Sequence, residues 1–255
     1  MKSKTSTKPT KPKKPKKPKH SLGRRLWRIT YRTVIILFVG SILWVVTLKY
    51  IPVYITPLMI RRTAEAIIDG RTPRNTKDWM PLYSISPSLP LACVASEDNL
   101  FLSHNGFSEK AIKRAIDDHR KGKPLRGAST ISQQTAKNVF TFCTHTWIRK
   151  GIEVYYTFLI EKIWGKRRIM EVYLNIVELG DGIYGVEAAA QEYFHCSAYK
   201  VSRPQAALIA AALPNPRHYS ITKPGQYMRR RQAQILDLMP KMRKLPFYEK
   251  TKSEK

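Results

Sequence analysis

The sequence predicts a mainly α-helical protein with a single transmembrane helix near its N-terminus. Three observations lead to this fold class. An uncharged apolar run of 16 residues extends from Thr33 to Leu48. From about residue 87 onward, apolar side chains recur every three or four residues, which is the helical period. Strand signals are sparse, and 43% hydrophobic residues are enough to build a core.

The N-terminal segment, residues 1–28, is predicted to be a basic, disordered tail. Residues 1–32 contain 13 Lys and Arg residues and no acid. Repeated Pro and Lys cannot build a packed core, so the tail is expected to stay extended. Because basic flanks of a membrane helix remain in the cytoplasm, we expect a cytoplasmic N-terminus. Membrane phospholipid is the expected partner of the tail, at about 1 kcal/mol for each Lys or Arg near the surface.

Residues 29–53 are predicted to be the transmembrane helix. Extended past Lys49 to Val53, the apolar run reaches 21 residues, which can cross a hydrocarbon core of about 30 Å. Lys49 would then snorkel to the interface. A cleaved signal peptide is the alternative, with an apolar region of about 7–15 residues and a small-residue cleavage site. Because Pro52 and Pro57 follow the run instead, an uncleaved anchor is favoured.

The remaining chain divides into a connector (54–85), a helical domain (86–240) and a basic C-terminal tail (241–255). Periodicity and Pro or Gly breaks place seven helices within the domain. The first is capped by Ser108 and runs through the stretch EKAIKRAIDDHRKG. The other six are Thr130–Phe140, Trp147–Trp164, Lys166–Val177, Gly185–Tyr193, Arg203–Leu213 and Tyr227–Leu238.

The formal net charge of +28 favours an anionic partner, such as phosphate, nucleic acid or anionic lipid. A solvated basic surface is the alternative for the body of the chain. We predict no nucleic-acid partner, because the domain is expected outside the inner membrane and carries no nucleic-acid-binding motif.

The three cysteines, Cys93, Cys143 and Cys196, are widely spaced and form no C-x-x-C pair. Neither a zinc site nor a disulfide scaffold is therefore indicated. Cys93 lies in an apolar stretch and is interpreted as a core residue. A bridge between Cys143 and Cys196 remains open for an oxidising compartment.

A first candidate for chemistry is the stretch SEDNLFLSHNGF, where Glu97 and Asp98 end an apolar segment. The Glu97 backbone is expected to be buried while its side chain opens to a cleft, which suits a general base. Phe101 and His104 could brace it. The alternative is a helix end with a capping Glu–Asp pair.

A second candidate is the stretch RGASTISQQTAKN, in which a small-residue turn leads into a helix. The free N–H groups at such an N-terminus favour an anion. Gln134 and Asn138 lie one turn apart, as do Gln133 and Lys137, which is typical of a lining for sugar hydroxyls and a phosphate. An exposed polar helix is the alternative.

Two further stretches carry paired charges. Glu153 follows Arg149 and Lys150 at helical spacing. It is interpreted either as a half-buried carboxylate beside cations or as a member of an ordinary surface ion pair. In the second stretch, Arg167 and Arg168 can pair with Glu171. Glu171 and Asn175 also lie one turn apart, and here a structural role is favoured.

The ordered motifs resemble the peptidoglycan glycosyltransferase domain family. They read E-D-x-x-F-x-x-H-x-G, G-x-S-T-I-x-Q-Q-x-x-K-N, R-K-x-x-E, K-x-x-I-x-E-x-Y-L-N and G-V-x-x-A-A-x-x-Y-F, and they span residues 97–194. The resemblance implies a lysozyme-like helical domain after an N-terminal anchor. We expect a monofunctional member without a transpeptidase domain, because only about 40 residues follow Leu213 and they contain no K-T-G motif. The S-x-x-K match in this stretch, Ser220–Lys223, therefore stands alone.

The resemblance also implies an activity. The family polymerises lipid II by transfer of the growing lipid-linked glycan, with inversion and release of undecaprenyl diphosphate. It implies that Glu97 is the general base and that Glu153 is the second catalytic carboxylate. Asp98, Phe101, His104, Glu171 and Asn175 then serve as structural support.

The substrate-binding residues implied by the resemblance are Ser129, Gln134, Lys137, Asn138 and Arg149. Lys137 and Arg149 would stabilise the diphosphate leaving group. No cofactor is required, although a divalent cation, Mg²⁺ or Mn²⁺, is compatible with a diphosphate site. Other cell-wall synthesis proteins are candidate partners. The expected location is the bacterial inner membrane, with the catalytic domain in the periplasm.

Two alternatives remain open at this point. One is a lysozyme-like enzyme that cleaves glycans, and the other is a non-catalytic membrane scaffold of the cell-wall machinery. A glycoside hydrolase needs a protonated carboxylic acid for its alkoxide leaving group. A diphosphate leaves as a stable anion and needs positive charge instead, so the Lys and Arg residues favour transfer.

Overall fold

The computed structural model describes residues 22–109, 113, 117, 120–122, 129–142, 147–242 and 245–248. The chain forms two compact units, Met1–Leu43 and Trp44–Lys255. The described part of the chain is mainly helical, as predicted. Cys143, and with it the question of a Cys143–Cys196 bridge, lies outside the described residues.

Helix α1, Leu22–Tyr50, supplies the described part of the first unit. It begins seven residues before the predicted membrane segment, because Leu, Trp and Arg residues extend the helical pattern into the expected tail. Its apolar side chains are exposed, for example Ile36, Leu37 and Phe38. The segment Gly23–Tyr50 is long and apolar enough to span a bilayer and is consistent with single-pass membrane anchoring.

The C-terminal end of α1 belongs to the second unit, where side chains donate hydrogen bonds to its backbone. Trp164 Nε1 donates to Val45 O at 2.7 Å, and Arg168 donates to Leu48 O at 2.9 Å and to Ile51 O at 2.6 Å. Leu48 O is one of the last four carbonyls of the helix, which have no partner within a regular helix. These donors therefore fix the chain where the apolar helix ends.

Residues 54–85, expected as a connector, contain regular structure. Helix α2 is Pro57–Ile68, with Thr56 as N-cap accepting from Met59 N. Pro57 occupies the first helical turn, where its missing N–H has no cost. Strand β1, Thr76–Lys77, and a 3₁₀ turn, Leu82–Ser84, follow. Burial lowers the pKa of Lys77 to about 8.

Seven helices build the remaining described body. They are α3 (Ser88–Glu97), α4 (Ile131–Phe140), α5 (Trp147–Ile163), α6 (Gly165–Ile176), α7 (Val186–Phe194), α8 (Arg203–Ala212) and α9 (Gln226–Leu238). Six of the seven helices placed from the sequence agree with the structure to within one residue at both ends. The reason is local: prolines, N-caps and capping boxes mark these ends in the sequence. The helix predicted after Ser108 lies largely outside the described residues.

A small sheet joins the connector to the body. Strands β2 (Glu178–Gly180) and β3 (Ile183–Tyr184) form an antiparallel pair, and β1 pairs with β3 in parallel. The tight turn between β2 and β3 needs Gly182, which has φ +69° and whose Cβ would lie 2.3 Å from Arg74 O. This turn places Glu178 beside α2.

The core is built around α4 and α8. Helix α4 packs against α5, α6 and α2, and α8 packs against α3 and α9. Every residue from Ala206 to Ala212 is buried, so α8 is surrounded by protein. Cys93 is buried on α3, as predicted. Phe247, in the expected C-terminal tail, is also buried against the core.

Candidate active site

The carboxylate of Asp98, the residue after Glu97, joins the end of α3 to the start of α4. Asp98, which is 7% exposed, accepts hydrogen bonds from Ile131 N at 3.1 Å and from His104 Nε2 at 2.9 Å. The first amide of α4 is therefore satisfied by a protein carboxylate. Glu97, the last residue of α3, is thereby held beside the N-terminal turn of α4.

His104 and its neighbours hold Asp98 in place. His104 Nδ1 accepts from Gly106 N at 3.0 Å, so the ring proton lies on Nε2 and is donated to Asp98. The ring stands edge-on to the buried Phe101, with centroids 6.3 Å apart. Gly106 has φ +89°, and a Cβ there would lie 2.8 Å from Thr157 Cγ2. These residues support Glu97 from the core side.

The N-terminus of α4 is closed by a capping box. Gln133 N donates to Thr130 Oγ1 at 3.1 Å, and Thr130 N donates to Gln133 Oε1 at 3.0 Å. The expectation that this N-terminus receives an external anion is wrong for these amides, because Asp98 and Thr130 already accept from them. One residue later, Gln134 Nε2 donates to Glu97 Oε2 at 3.0 Å.

A cavity of about 280 Å³, here called the cationic cavity, opens along α4. Four predicted residues line it: Gln134, Lys137, Asn138 and Arg149. The other lining residues are Pro57, Leu58, Arg61, Arg62, Thr141, Val177, Glu178, Leu213, Pro214 and Pro216. Four cations and one acid thus face one space, which suits a polyanionic ligand.

Lys137 is a partly buried cation of this site. Its pKa is lowered, chiefly by burial and further by the charges of Arg149, Arg61 and Lys150, while Glu153 opposes the shift. Because the surroundings disfavour the charged form of this lysine, an anion that binds beside it would stabilise that form. The arrangement therefore favours a phosphate or diphosphate.

Glu153, the second predicted carboxylate, lies on α5 outside the cavity lining. It is 3% exposed and forms an ion pair with Lys150. Glu153 is therefore not part of an ordinary surface ion pair. Glu153 acts on the cationic cavity as a buried negative charge near Lys137.

A second cavity of about 690 Å³, here called the Glu97 cavity, is also lined by Gln134. Its lining includes two predicted residues besides Gln134, namely Glu97 and the exposed Ser129. Tyr219 and Tyr227 stack with ring centroids 5.0 Å apart. The remaining lining residues are Ser96, Pro214, Asn215 and Arg231.

Several residues on both sides of the site are not predicted from the sequence. Arg61 and Arg62 lie on α2, where the double arginine of the stretch LMIRR is their local signal. Glu178 lies on β2 and has no such signal. Tyr227 and Arg231 lie one turn apart on α9, and Arg231 donates to Ser96 O at 3.0 Å. No motif of the chemistry-bearing stretches includes them.

Glu171 and Asn175 hold the segment before α3. Glu171 Oε1 accepts from Leu82 N at 2.9 Å, and Asn175 exchanges two hydrogen bonds with the backbone of Met80, at 2.7 and 2.8 Å. Neither residue lines one of the two cavities. Their contacts are those of structural residues.

Few side chains that could coordinate a metal ion lie together in the described part of the chain. No group of three or more His, Cys, Asp or Glu side chains gathers among those residues. Mg²⁺ at phosphate sites is often held by one or two carboxylates together with the substrate phosphates. The expected Mg²⁺ or Mn²⁺ thus remains a prediction, and its candidate carboxylates are Glu178, which lines the cationic cavity, and the buried Glu153.

Comparisons with known proteins agree with the motif resemblance. The family model for transglycosylases matches residues 64–240. The chain is 48% identical over 232 residues to the biosynthetic peptidoglycan transglycosylase of Bacteroides thetaiotaomicron, covering 91% of this chain and 94% of the relative. The proteins of the same name from Bdellovibrio bacteriovorus and Caulobacter vibrioides are 48% and 45% identical, covering 81% and 79% of this chain and 82% and 85% of the relatives.

Proposed function

Because this chain belongs to the transglycosylase family, we propose that it is a peptidoglycan glycosyltransferase that joins lipid II units into β-1,4 glycan strands. One observation carries the proposal. Glu97 lines one cavity, Lys137 and Arg149 line another, and Gln134 and Pro214 line both. The proposed base and the proposed leaving-group site are therefore neighbours, and Gln134 is the polar side chain that they share.

The donor, the growing lipid-linked glycan, binds with its diphosphate in the cationic cavity. Lys137 and Arg149 neutralise the charge that develops as the anomeric C–O bond to the diphosphate breaks. Asn138 and Gln134 offer polar contacts to the first sugars. Undecaprenyl diphosphate leaves as the anion, and no proton is needed for its departure.

The acceptor, a lipid II molecule, binds in the Glu97 cavity. Glu97 takes the proton of the acceptor 4-hydroxyl while that oxygen attacks the anomeric carbon, and the configuration inverts. Gln134 orients the carboxylate through its hydrogen bond to Oε2. The stacked Tyr219 and Tyr227 provide an apolar wall for a sugar ring.

Glycan cleavage is less well supported than transfer. A hydrolase needs a carboxylic acid that protonates the leaving oxygen. Glu153 is buried in an ion pair with Lys150 and lines neither cavity, so it is poorly placed to donate a proton to a sugar oxygen.

Both substrates carry long lipid chains, so the site must work at a bilayer surface. The apolar helix α1 supports anchoring in the inner membrane, and the basic N-terminal tail supports a cytoplasmic N-terminus with a periplasmic domain. Exposed apolar side chains outside α1, such as Ile55, Phe142 and Trp147, support further contact with phospholipid. Other cell-wall synthesis proteins are proposed as partners in the membrane.

The test uses the full-length protein in detergent with lipid II labelled in its sugars. We expect a polymer that lysozyme digests, and we expect purified sacculi to keep their strand length. Lys137→Ala should abolish most of the polymer, whereas the charge-matched control Lys200→Ala, on an exposed turn, should not. Shortened sacculi without polymer would instead support cleavage.

A further inference from the structure

The cationic cavity receives an arginine from outside the family motifs. Arg61 lies on α2, the first helix after the apolar anchor, and lines the cavity together with Lys137 and Arg149. We propose that Arg61 binds the diphosphate of the lipid-linked donor and is a further substrate-binding residue of this enzyme. The inference rests on the proposed function, because it assigns a new ligand to the same leaving-group site.

The charges around Lys137 place Arg61 close to the reacting groups. The positive charge of Arg61 acts on Lys137 together with that of Arg149, and both disfavour the charged lysine. Three cations that repel one another in one cavity are stabilised when an anion binds between them. A diphosphate has the charge and the number of oxygens to contact all three.

The neighbouring Arg62 has a different task. Its Nε and Nη2 donate to Glu178 Oε2 at 3.2 and 3.0 Å, and its Nη1 donates to Glu65 Oε2 at 2.8 Å. Three of its five N–H donors are therefore directed at carboxylates of the protein. Arg62 fastens α2 to β2 rather than serving a substrate.

Arg61 is held less tightly. The nearest atoms of its ion pair with Glu65 are Nε and Oε1, 3.4 Å apart, and its side chain is 37% exposed. Glu178, the acid that lines the cavity, already accepts from Arg62. Arg61 is therefore the member of the arginine pair that can turn its terminal nitrogens towards a ligand.

The position of α2 in the chain fits a lipid-linked ligand. The helix begins at Pro57, shortly after α1 ends at Tyr50. The diphosphate of a lipid-linked donor lies at the bilayer surface, where the chain leaves its anchor. Arginine is suited to such a group, because its planar fork can form two parallel hydrogen bonds to phosphate oxygens.

The experiment measures binding of inorganic pyrophosphate and turnover of lipid II by the full-length protein in detergent. Loss of one charge-assisted contact typically costs about 10- to 100-fold in affinity. We expect Arg61→Gln to weaken pyrophosphate binding and to raise KM for lipid II by about 10-fold, and Arg61→Lys to recover part of the loss. Arg71→Gln, which removes an arginine paired with Asp69 and Asp181 outside the cavity, is the matched control and should bind as the wild type.

The outcomes separate this inference from the proposed function. Wild-type pyrophosphate affinity in Arg61→Gln, with normal polymerisation, would overturn the role of Arg61 and leave the function intact. Pyrophosphate binding that depends on Arg61, in a protein that makes no polymer, would overturn the function and keep the phosphate site. If Arg61→Gln binds pyrophosphate normally but loses affinity for anionic phospholipid vesicles, Arg61 serves the membrane and the proposal is wrong.

Discussion

The side-chain amide of Gln134 donates a hydrogen bond to Glu97 Oε2 at 3.0 Å, and the same side chain lines both cavities of the site. The carboxylate is held at its second oxygen by the neighbouring Ser96, whose Oγ lies 3.3 Å from Oε1. In the proposed mechanism, Gln134 orients the base and also faces the donor, so that one residue of α4 couples the base to the leaving-group site.

Replacement of Gln134 tests this coupling. Gln134→Leu removes the hydrogen bond to a charged group, which is worth about 1.5–3 kcal/mol, so we expect kcat for lipid II polymerisation to fall by about 10- to 100-fold. The melting temperature should fall by several degrees for the same reason, so kcat is compared at a temperature where both proteins are folded. The control is Gln133→Ala, which removes half of the capping box and should lower stability by about 1 kcal/mol with a smaller effect on kcat. Equal kcat in wild type and Gln134→Leu would contradict the coupling.

Gly106 tests the support behind Asp98. Gly106→Ala has to adopt φ +89° and brings a Cβ to 2.8 Å from Thr157 Cγ2. We expect a loss of about 2–4 kcal/mol in the free energy of unfolding, from left-handed strain and overpacking together. Gly165→Ala, with φ +72° and no atom within 4 Å of the new Cβ, should show the strain alone. Denaturant unfolding of the full chain in detergent measures both.

A double variant sharpens the same test. Thr157→Ser removes the Cγ2 methyl and keeps the hydroxyl that donates to Glu153 O. It should restore part of the stability that Gly106→Ala loses and none of the stability that Gly165→Ala loses. Identical losses in all backgrounds would show that overlap with Thr157 plays no part.

The lowered pKa of Lys137 predicts an alkaline limit on donor binding. Deprotonation removes a positive charge from the cationic cavity, and it occurs below the ordinary lysine value of 10.5 because burial and nearby cations disfavour the charge. As pH rises, kcat/KM should therefore fall at a lower pH than an ordinary lysine would give. Lys137→Arg should move this limit upward, since arginine keeps its proton. A profile with the same alkaline limb in both proteins would exclude Lys137 as its source.

The stacked tyrosines predict how the acceptor is recognised. Tyr227→Ala removes half of the wall formed with Tyr219 in the Glu97 cavity. An aromatic contact of this kind is worth about 0.5–1.5 kcal/mol beyond its area, so we expect KM for lipid II to rise by several-fold and pyrophosphate affinity to stay unchanged. Tyr199→Ala, an exposed tyrosine outside both cavities, is the control. A weaker pyrophosphate affinity in Tyr227→Ala would place the tyrosine on the donor side instead.

Helices whose ends are marked by neighbouring capping residues or prolines could be predicted from the sequence. Helix α8 has Ser202 and Gln205 as a capping box and Pro204 in its first turn, and helix α4 has Thr130 and Gln133. By contrast, Pro57 was interpreted as part of a connector although it starts α2. The strand Thr76–Lys77 could not be predicted, because its only reason to be a strand is the distant Ile183–Tyr184.

In the candidate site, too, local features could be predicted from the sequence and long-range contacts could not. Gln134, Lys137 and Asn138 share one helix, so their common face followed from spacing alone. Arg61 and Arg231 reach the site through the packing of α2 and α9, which no local pattern encodes. The N-terminus of α4 was expected to take a ligand anion, yet Asp98 already fills that place, because the chain turns back there by a long-range contact.

The most direct test of the central claim is polymerisation of labelled lipid II by the Glu97→Gln variant of the full-length protein. The amide keeps the shape of the side chain but cannot take a proton, so we predict a rate about 10²- to 10⁴-fold below the wild type. Pyrophosphate affinity and melting temperature should match the wild type. A variant that polymerises lipid II at the wild-type rate would contradict the assignment of Glu97 as the base.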